Sequence, residues 1–464
     1  MAESTTPGPD SERATKRVGQ APRTQRLARR EGDRLVLPGL GTAHSHAFQR
    51  ALRARTQRRG DDAAAATPSF WSWRALMYAL AERVTPEDLY DLCHFAFIEL
   101  AMAGVTAVGE FHYLHHQPDG TPYDDRTLLA DTVIRAARDA GLRIVLLRVA
   151  YARAGFGRPI EAAQRRFCDR EVDHVLRDVD TLRKRHAADP LVGVGVAVHS
   201  VRAVPRAWIG PLAAYARATG LPLHAHVSEQ RREVQECLAE HGLRPLALLA
   251  AEGAVDARFV AVHATHLDAD EAHLLGAAGA AACVCRSTER DLGDGAPDLG
   301  RLLHAGARVC TGVDSHAASD PFEEARALEL DERVRTEARQ VALDGHDILR
   351  VASAEGYRAI GLPGRHLEDE VRLDLADPAL AGAAFLAPRN AGDGGQARPA
   401  ATDRTEADTE EADLDEVAAW CGHARAVAET RVAGRVVIED GIHPAATRAR
   451  IRFDAAVARL LRRA

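Results

Sequence analysis

His44 and His46, in Thr42-Ala43-His44-Ser45-His46-Ala47-Phe48-Gln49-Arg50, directly follow the apolar, Pro-Gly-bounded stretch Leu35-Val36-Leu37-Pro38-Gly39-Leu40. Residues i and i+2 of a strand face the same way, so two imidazoles share one side of a strand end. Neutral imidazole is the commonest side chain that holds a zinc-like ion. In a chain with 21 histidines such a pair proves little alone. Four further residues supply its company, each at the end of a short apolar run. They are His226 and Glu229 in Leu223-His224-Ala225-His226-Val227-Ser228-Glu229, His263 in Phe259-Val260-Ala261-Val262-His263, and Asp314 in Val309-Cys310-Thr311-Gly312-Val313-Asp314. Core histidines scattered at random would not keep choosing strand ends.

Chemical groups at the C-terminal ends of successive parallel strands converge on one mouth when the strands close into a barrel. Along most of the chain, apolar runs alternate with Ala/Leu/Arg-rich helical patterns, as a β/α fold requires. Strands are expected near 105–113, 143–151, 192–200, 222–229, 259–267, 281–287 and 308–315, with one before His44 as the first. Helices are expected near 85–103, 126–140, 170–187, 205–218, 269–278 and 320–335. Thr-Pro and Asp-Pro open several of them, which suits a helix start. The fold class is therefore α/β, a (β/α)8 TIM-type barrel with a small β-rich second domain. An open doubly wound sheet shows the same alternation, so the strand-end residues weigh as much as the periodicity.

Four regions are expected: a polar tail over 1–34, the barrel over 35–370, a small β-rich unit over 371–445, and an amphipathic helix over 446–464. The small unit carries a polar insertion at 389–412 with too few apolar residues to pack, read as disordered. The tail shows no strand pattern and no apolar signal region.

A net charge of -7 gives no electrostatic case for nucleic acid. No apolar run reaches the roughly 20 residues of a membrane span. Seven scattered cysteines without a Cys-x-x-Cys pair read as reduced thiols, which places the protein in the cytoplasm. Cys283 and Cys285 share a strand face and read first as buried structural residues.

The order His-x-His, His-x-x-Glu, His and Asp-Ser resembles the amidohydrolase superfamily, in its mononuclear deaminase and deiminase branch. Binuclear members carry a bridging lysine on the fourth strand, whereas the only lysines here are Lys16 and Lys184. Three local sequences resemble the N-formimidoyl-L-glutamate deiminases of histidine degradation: His44-Ser45-His46-Ala47-Phe48-Gln49-Arg50-Ala51, Ser69-Phe70-Trp71-Ser72-Trp73-Arg74, and Glu110-Phe111-His112-Tyr113-Leu114-His115-His116. Val262-His263-Ala264-Thr265-His266-Leu267 and Leu292-Gly293-Asp294-Gly295 fit as well. Family members start with strands that join the small domain, which residues 1–34 do not show. This start is read as either a reduced small domain or a misassigned beginning.

The chemistry follows from the residue types. One divalent cation held by His44, His46, His226 and Asp314 lowers the pKa of a bound water towards ~7. Asp314 also accepts that water's proton. His263, beyond the ligands, stabilises the tetrahedral adduct, and Glu229 hydrogen-bonds the imine nitrogen and carries a proton to the departing ammonia. His224, two residues before His226, points the same way in a regular strand, so a swap of ligands stays open, with the spacing to Glu229 favouring His226. His112, His115, His116 and His266 are expected to support loops instead of binding metal.

The resemblance implies a formimino carbon as electrophile, with Gln49, Tyr113, His199 and Arg202 on the amino-acid end of a small-molecule substrate. Arg74, in the Trp-flanked loop, takes the other carboxylate. It also implies a homodimer. The metal is zinc first, with Fe2+ open, since imidazole and carboxylate suit both. The runner-up is a deaminase of a cyclic amidine such as guanine or a pterin; a non-catalytic metal-binding assembly protein ranks last. Cys285-Arg286-Ser287-Thr288-Glu289-Arg290-Asp291 and His316-Ala317-Ala318-Ser319-Asp320-Pro321 depart from the family pattern, and are expected to alter substrate fit on their side of the pocket.

Overall fold

Eight apolar runs pair side by side in one parallel sheet. The computed structural model describes residues 26–57, 70–382 and 413–462. Its thirteen strands are β1 (Arg29–Glu31), β2 (Arg34–Pro38), β3 (Leu40–Ser45), β4 (Val105–His112), β5 (Arg143–Ala150), β6 (Val192–Ser200), β7 (Leu223–Val227), β8 (Phe259–His263), β9 (Ala281–Val284), β10 (Arg308–Thr311), β11 (Glu370–Asp374), β12 (Val427–Val432) and β13 (Arg435–Ile438). The parallel sheet runs β3 to β10 in chain order. Its ends meet through a bridge between Ser45 and Asp314. There the Asp314 amide donates to the His44 carbonyl at 3.1 Å, and the His46 amide to the Asp314 carbonyl at 2.9 Å. The barrel thus closes at its mouth, and its seam is made from the residues that carry the chemistry.

Strands β4, β5, β7, β8 and β9 are buried along their whole length, as expected of strands covered on both faces. The covering helices include Pro86–Met102, Leu128–Asp139, Val172–Arg185, Arg206–Thr219, Ala269–Ala277 and Pro321–Thr336. Pro86–Met102 starts on a full capping box, Thr85 with Asp88, and carries Pro at its first position. Arg231–His241, Pro245–Ala251 and Arg286–Leu292 are further helices, not among those expected from the sequence.

A second sheet, in the order β1-β2-β11-β12-β13, is antiparallel throughout. It corrects two expectations. The stretch Leu35–Leu40 is not one strand, because β2 ends at Pro38 in this sheet and β3 starts the barrel at Leu40. Residues 29–34 do contribute strand structure. β1 is a charged edge strand that pairs with β2 across a tight turn, and its side chains reach far along the chain: Arg29 pairs with Glu370 at 2.5 Å and Glu31 with Arg372 at 2.9 Å. Arg34, at the start of β2, pairs with Asp374 at 2.7 Å. No local periodicity reveals such a strand. The expected insertion at 389–412 lies outside the described residues, as do residues 1–25. The chain closes on the helix Ala446–Arg462, whose Ala449, Phe453, Ala456, Val457 and Leu460 are buried. No described helix is long and apolar enough to cross a membrane.

Candidate active site

At the mouth, three imidazoles from opposite sides of the barrel meet. Nε2 of His44 lies 3.2 Å from Nε2 of His226. Asp314 Oδ1 is 3.3 Å from Nε2 of His44 and 3.4 Å from Nε2 of His46. Two of the other ring nitrogens meet backbone: His46 Nδ1 meets the Phe111 carbonyl at 2.9 Å, and His226 Nδ1 the His199 carbonyl at 2.9 Å, whereas Nδ1 of His44 is buried without a partner among the described residues. A proton on Nδ1 of His46 and of His226 leaves their Nε2 as bare lone pairs, the arrangement that orients a ligating histidine. His44, His46 and His226 can hold one ion, all three buried. Burial disfavours their cations, pushing His46 down to about 3 and His226 well below the usual histidine range. Although burial pulls the other way, the neighbouring His44 and His263 hold the Asp314 carboxyl below its ordinary range. Neutral imidazoles around an ionised carboxylate are the protonation states that a divalent cation needs, so this donor set fits a metal.

Of His224 and His226, His226 is the one whose ring faces this group. His224 turns away, its Nε2 on the Ala359 carbonyl at 3.0 Å.

His263 stands beyond this group. Its Nδ1 meets Glu289 at 3.2 Å, and its Nε2 faces Glu229 Oε1 at 3.7 Å and Asp314 Oδ2 at 3.8 Å. Burial would lower its pKa, but the carboxylates of Glu229, Glu289 and Asp314 push it up to about 10. For Glu229 burial dominates and the carboxyl is raised, with His263 and Arg202 opposing. His263 and Asp314 hold positive φ, 67° and 47°. Such backbone strain in residues with side chains is tolerated where the surroundings over-determine a site.

The group opens into a cavity lined also by Gln49, Phe70, Trp73, Arg74, Met77, Tyr78, Tyr113, His199, Arg202 and Leu292. All five expected substrate-binding residues are there. Gln49 donates to the Tyr113 hydroxyl at 2.6 Å, and its Oε1 is buried without a partner among the described residues. His199 packs its ring 4.5 Å from that of Tyr151. Arg74 is not in a loop: it lies on the helix Phe70–Ala81, where Nε donates to the Tyr78 hydroxyl at 2.5 Å. Arg202 is 3 % exposed and its Nη1 has no partner among the described residues, a buried donor that an anion would satisfy.

Reading from sequence missed two buried carboxylates. Glu110 accepts from the Ser45 hydroxyl at 2.6 Å and the Ala47 amide at 2.8 Å, pinning the turn between the two ligand histidines. Glu289 orients His263. Both stand in motifs singled out above, but an acid among 67 gives no sign that it is buried. The arginines of the altered stretch do not line the cavity. Arg286 and Arg290 both reach Asp331, at 2.6 and 2.5 Å, on a helix of which Leu292 lines the pocket. In the second altered stretch the His316 ring bonds Ser45 at 2.9 Å, and its carbonyl accepts from Arg53 at 2.6 Å. His115 meets the Val149 carbonyl at 3.0 Å and His116 stands 3.8 Å from Asp169, so neither joins the metal group.

A match to the family model described as "Amidohydrolase family" spans residues 35–366. The chain belongs to the amidohydrolase family. This amidohydrolase is 36% identical to a formimidoylglutamate deiminase of Pseudomonas aeruginosa, over 92% of this chain and 89% of that protein. It is 27% identical to a 5-methylthioadenosine/S-adenosylhomocysteine deaminase of Haloquadratum walsbyi, over 74% of this chain and 70% of that one. Among solved structures, an amidohydrolase from Brucella melitensis superposes with a TM-score of 0.79 at 33% identity, covering 92% and 90% of the two chains.

Proposed function

We propose that this amidohydrolase hydrolyses N-formimidoyl-L-glutamate to N-formyl-L-glutamate and ammonia. The observation that carries the reading is the pairing of two features in one cavity. His46, His226, Asp314, Glu229 and His263 line it, with His44 grouped against His46 and His226, and the lining also includes two buried arginines, Arg74 and Arg202. A cationic amidinium suits the acids, and two carboxylates suit the arginines, which grip them bidentately. A cyclic amidine such as guanine or a pterin has no use for the arginine pair. The deiminase relative supports the same substrate.

His44, His46, His226 and Asp314 would hold the metal, zinc first and Fe2+ second, which when bound supplies the Lewis acidity that activates water near neutral pH. Asp314 takes a proton from the attacking water. The tetrahedral adduct faces His263 Nε2, a donor held in place by Glu289 through Nδ1. Glu229, whose burial favours its protonated form, gives a proton to the departing nitrogen. Gln49, Tyr113, His199 and Arg202 bind the amino-acid end, and Arg74 the side-chain carboxylate. A cytoplasmic homodimer belongs to the same reading and rests on the family resemblance.

The test is release of ammonia from N-formimidoyl-L-glutamate by metal-loaded protein, with N-formylglutamate quantified beside it. Equal amounts of the two, lost in Glu229→Gln, support the reading. Formamide and glutamate as products, or no turnover by a folded, metal-replete protein, would refute it.

A further inference from the structure

Asp314 divides its two carboxylate oxygens between neighbours. Oδ1 stands with His44 and His46, at 3.3 and 3.4 Å, whereas Oδ2 is turned to Nε2 of His263 at 3.8 Å. On that second side there is another donor, the thiol of Cys285. A ligand atom from each of His263, Cys285 and Asp314 lies within 4.8 Å of the other two, and all three residues are buried. Cys285 follows β9 and lies against β10, where a Cβ on Gly312 would come within 3.0 Å of its sulfur. That sulfur makes a 3.9 Å contact with the Cys283 carbonyl and meets the Cys283 thiol, weak sulfur hydrogen bonds that a metal would outcompete.

We infer that His263, Cys285 and Asp314 form a second cation subsite beside the first, selective for a thiophilic divalent ion such as Cd2+ or excess Zn2+, and that filling it stops hydrolysis. The inference rests on the assignment of the first ion to His44, His46 and His226. Imidazole, thiolate and carboxylate together are a soft-to-borderline donor set, which oxygen-seeking Mg2+ and Ca2+ do not favour. Bonds of about 2.0–2.3 Å place tetrahedral ligands some 3.3–3.8 Å apart, so the longest edge closes by about 1 Å. A carboxylate giving one oxygen to each ion sets the spacing of two-metal centres, about 3.5–4 Å. The surroundings carry the negative charge for a second dication, with Glu229 and Glu289 at the two nitrogens of His263. Coordination breaks the S–H bond of Cys285 and displaces the Nε2 proton of His263, and both protons leave to solvent with no change of oxidation state. The ion occupies the His263 nitrogen that faces the reacting centre, so inhibition needs no loss of the first metal.

Metal-stripped protein is dialysed against CdCl2, bound cadmium is quantified, and the ultraviolet thiolate-to-cadmium charge-transfer band is recorded. The expected result is two ions per chain with the band, and in Cys285→Ser one ion without it. One ion in both proteins, or two ions with the band in Cys285→Ser, overturns the subsite. Cys285→Ala gives the same reading should an unpartnered serine unfold the chain. His226→Ala separates the two assignments. One ion with the band supports the subsite and both assignments, two ions with the band leave the subsite standing while the first-site reading fails, and loss of the band overturns the subsite. In turnover assays Cys285→Ser should be roughly tenfold or more less sensitive to cadmium, the scale on which metal affinity answers to loss of a supporting group.

Discussion

Nε2 of His44 and Nε2 of His226 stand 3.2 Å apart although their strands, β3 and β7, are four places apart in the eight-stranded sheet. Across a closed barrel that is the far side. Two ring nitrogens so close, with Nδ1 of His226 already on a carbonyl, make sense as lone pairs aimed at a common point. His226→Ala should therefore cost zinc affinity by ~100-fold or more, since even groups that only support a ligand account for 10–100-fold. Metal content after dialysis against a competing chelator checks this. Retention of wild-type metal content would refute the assignment of His226.

Gly312 tests how tightly the seam is built. A Cβ there would lie 2.7 Å from Cβ and 2.9 Å from the carbonyl oxygen of His44, both on β3. Because one neighbour is backbone, the added methyl has to move the strand that carries a ligand. Gly312→Ala should lose ~1–3 kcal/mol in denaturant titration, the usual cost of overpacking, and bind metal more weakly than the parent. Unchanged stability with unchanged metal affinity would show that β3 yields without disturbing His44.

The barrel and its mouth were legible because their signals are local. Each strand is a short apolar run, and His44, His226, His263 and Asp314 fall at or just beyond strand ends. The antiparallel sheet was half hidden, because β1 is three charged residues paired only with β2, and the side-chain partners that tie it to the rest of the sheet, Glu370 and Arg372, sit some 340 residues away. Direction was hidden as well: nothing in Leu223-His224-Ala225-His226 tells which imidazole faces the mouth until Ala359 supplies a carbonyl to His224. Arg286 and Arg290 looked like pocket residues, but neither lines the cavity: both reach Asp331, and buried Arg286 also holds Glu289 from behind at 2.5 Å.

Buried Glu324 gives the protein a pH dependence that has nothing to do with turnover. It is 2 % exposed and accepts from the Ser287 amide at 3.1 Å. Burial pushes its carboxyl up to about 8, with Ser287 opposing. A carboxyl whose folded pKa is raised contributes its full stability below its unfolded value of about 4.5, and that contribution is lost as pH rises through about 8. Glu324→Gln keeps an acceptor for Ser287 and removes the ionisation. The melting temperature of the variant should thus gain on the parent as pH goes from about 5 to about 9. A difference that is constant across that range would show that Glu324 ionises freely in the folded protein.

Arg202 separates recognition from chemistry. Its guanidinium is buried beside Phe70 and Trp71, 5.7 and 5.8 Å from their ring centres, with Nη1 unpartnered among the described residues. A carboxylate there gains a charge-assisted bond already desolvated, and truncating such a partner costs ~2–4 kcal/mol. Arg202→Met should lower kcat/KM for N-formimidoyl-L-glutamate by ~30- to 1000-fold, mostly through KM, while bound metal stays at the parent level. Arg202→Lys should recover only part, because an ammonium keeps the charge and loses the planar fork. A fall in kcat at unchanged KM would place Arg202 at the reacting centre and move the substrate carboxylate elsewhere.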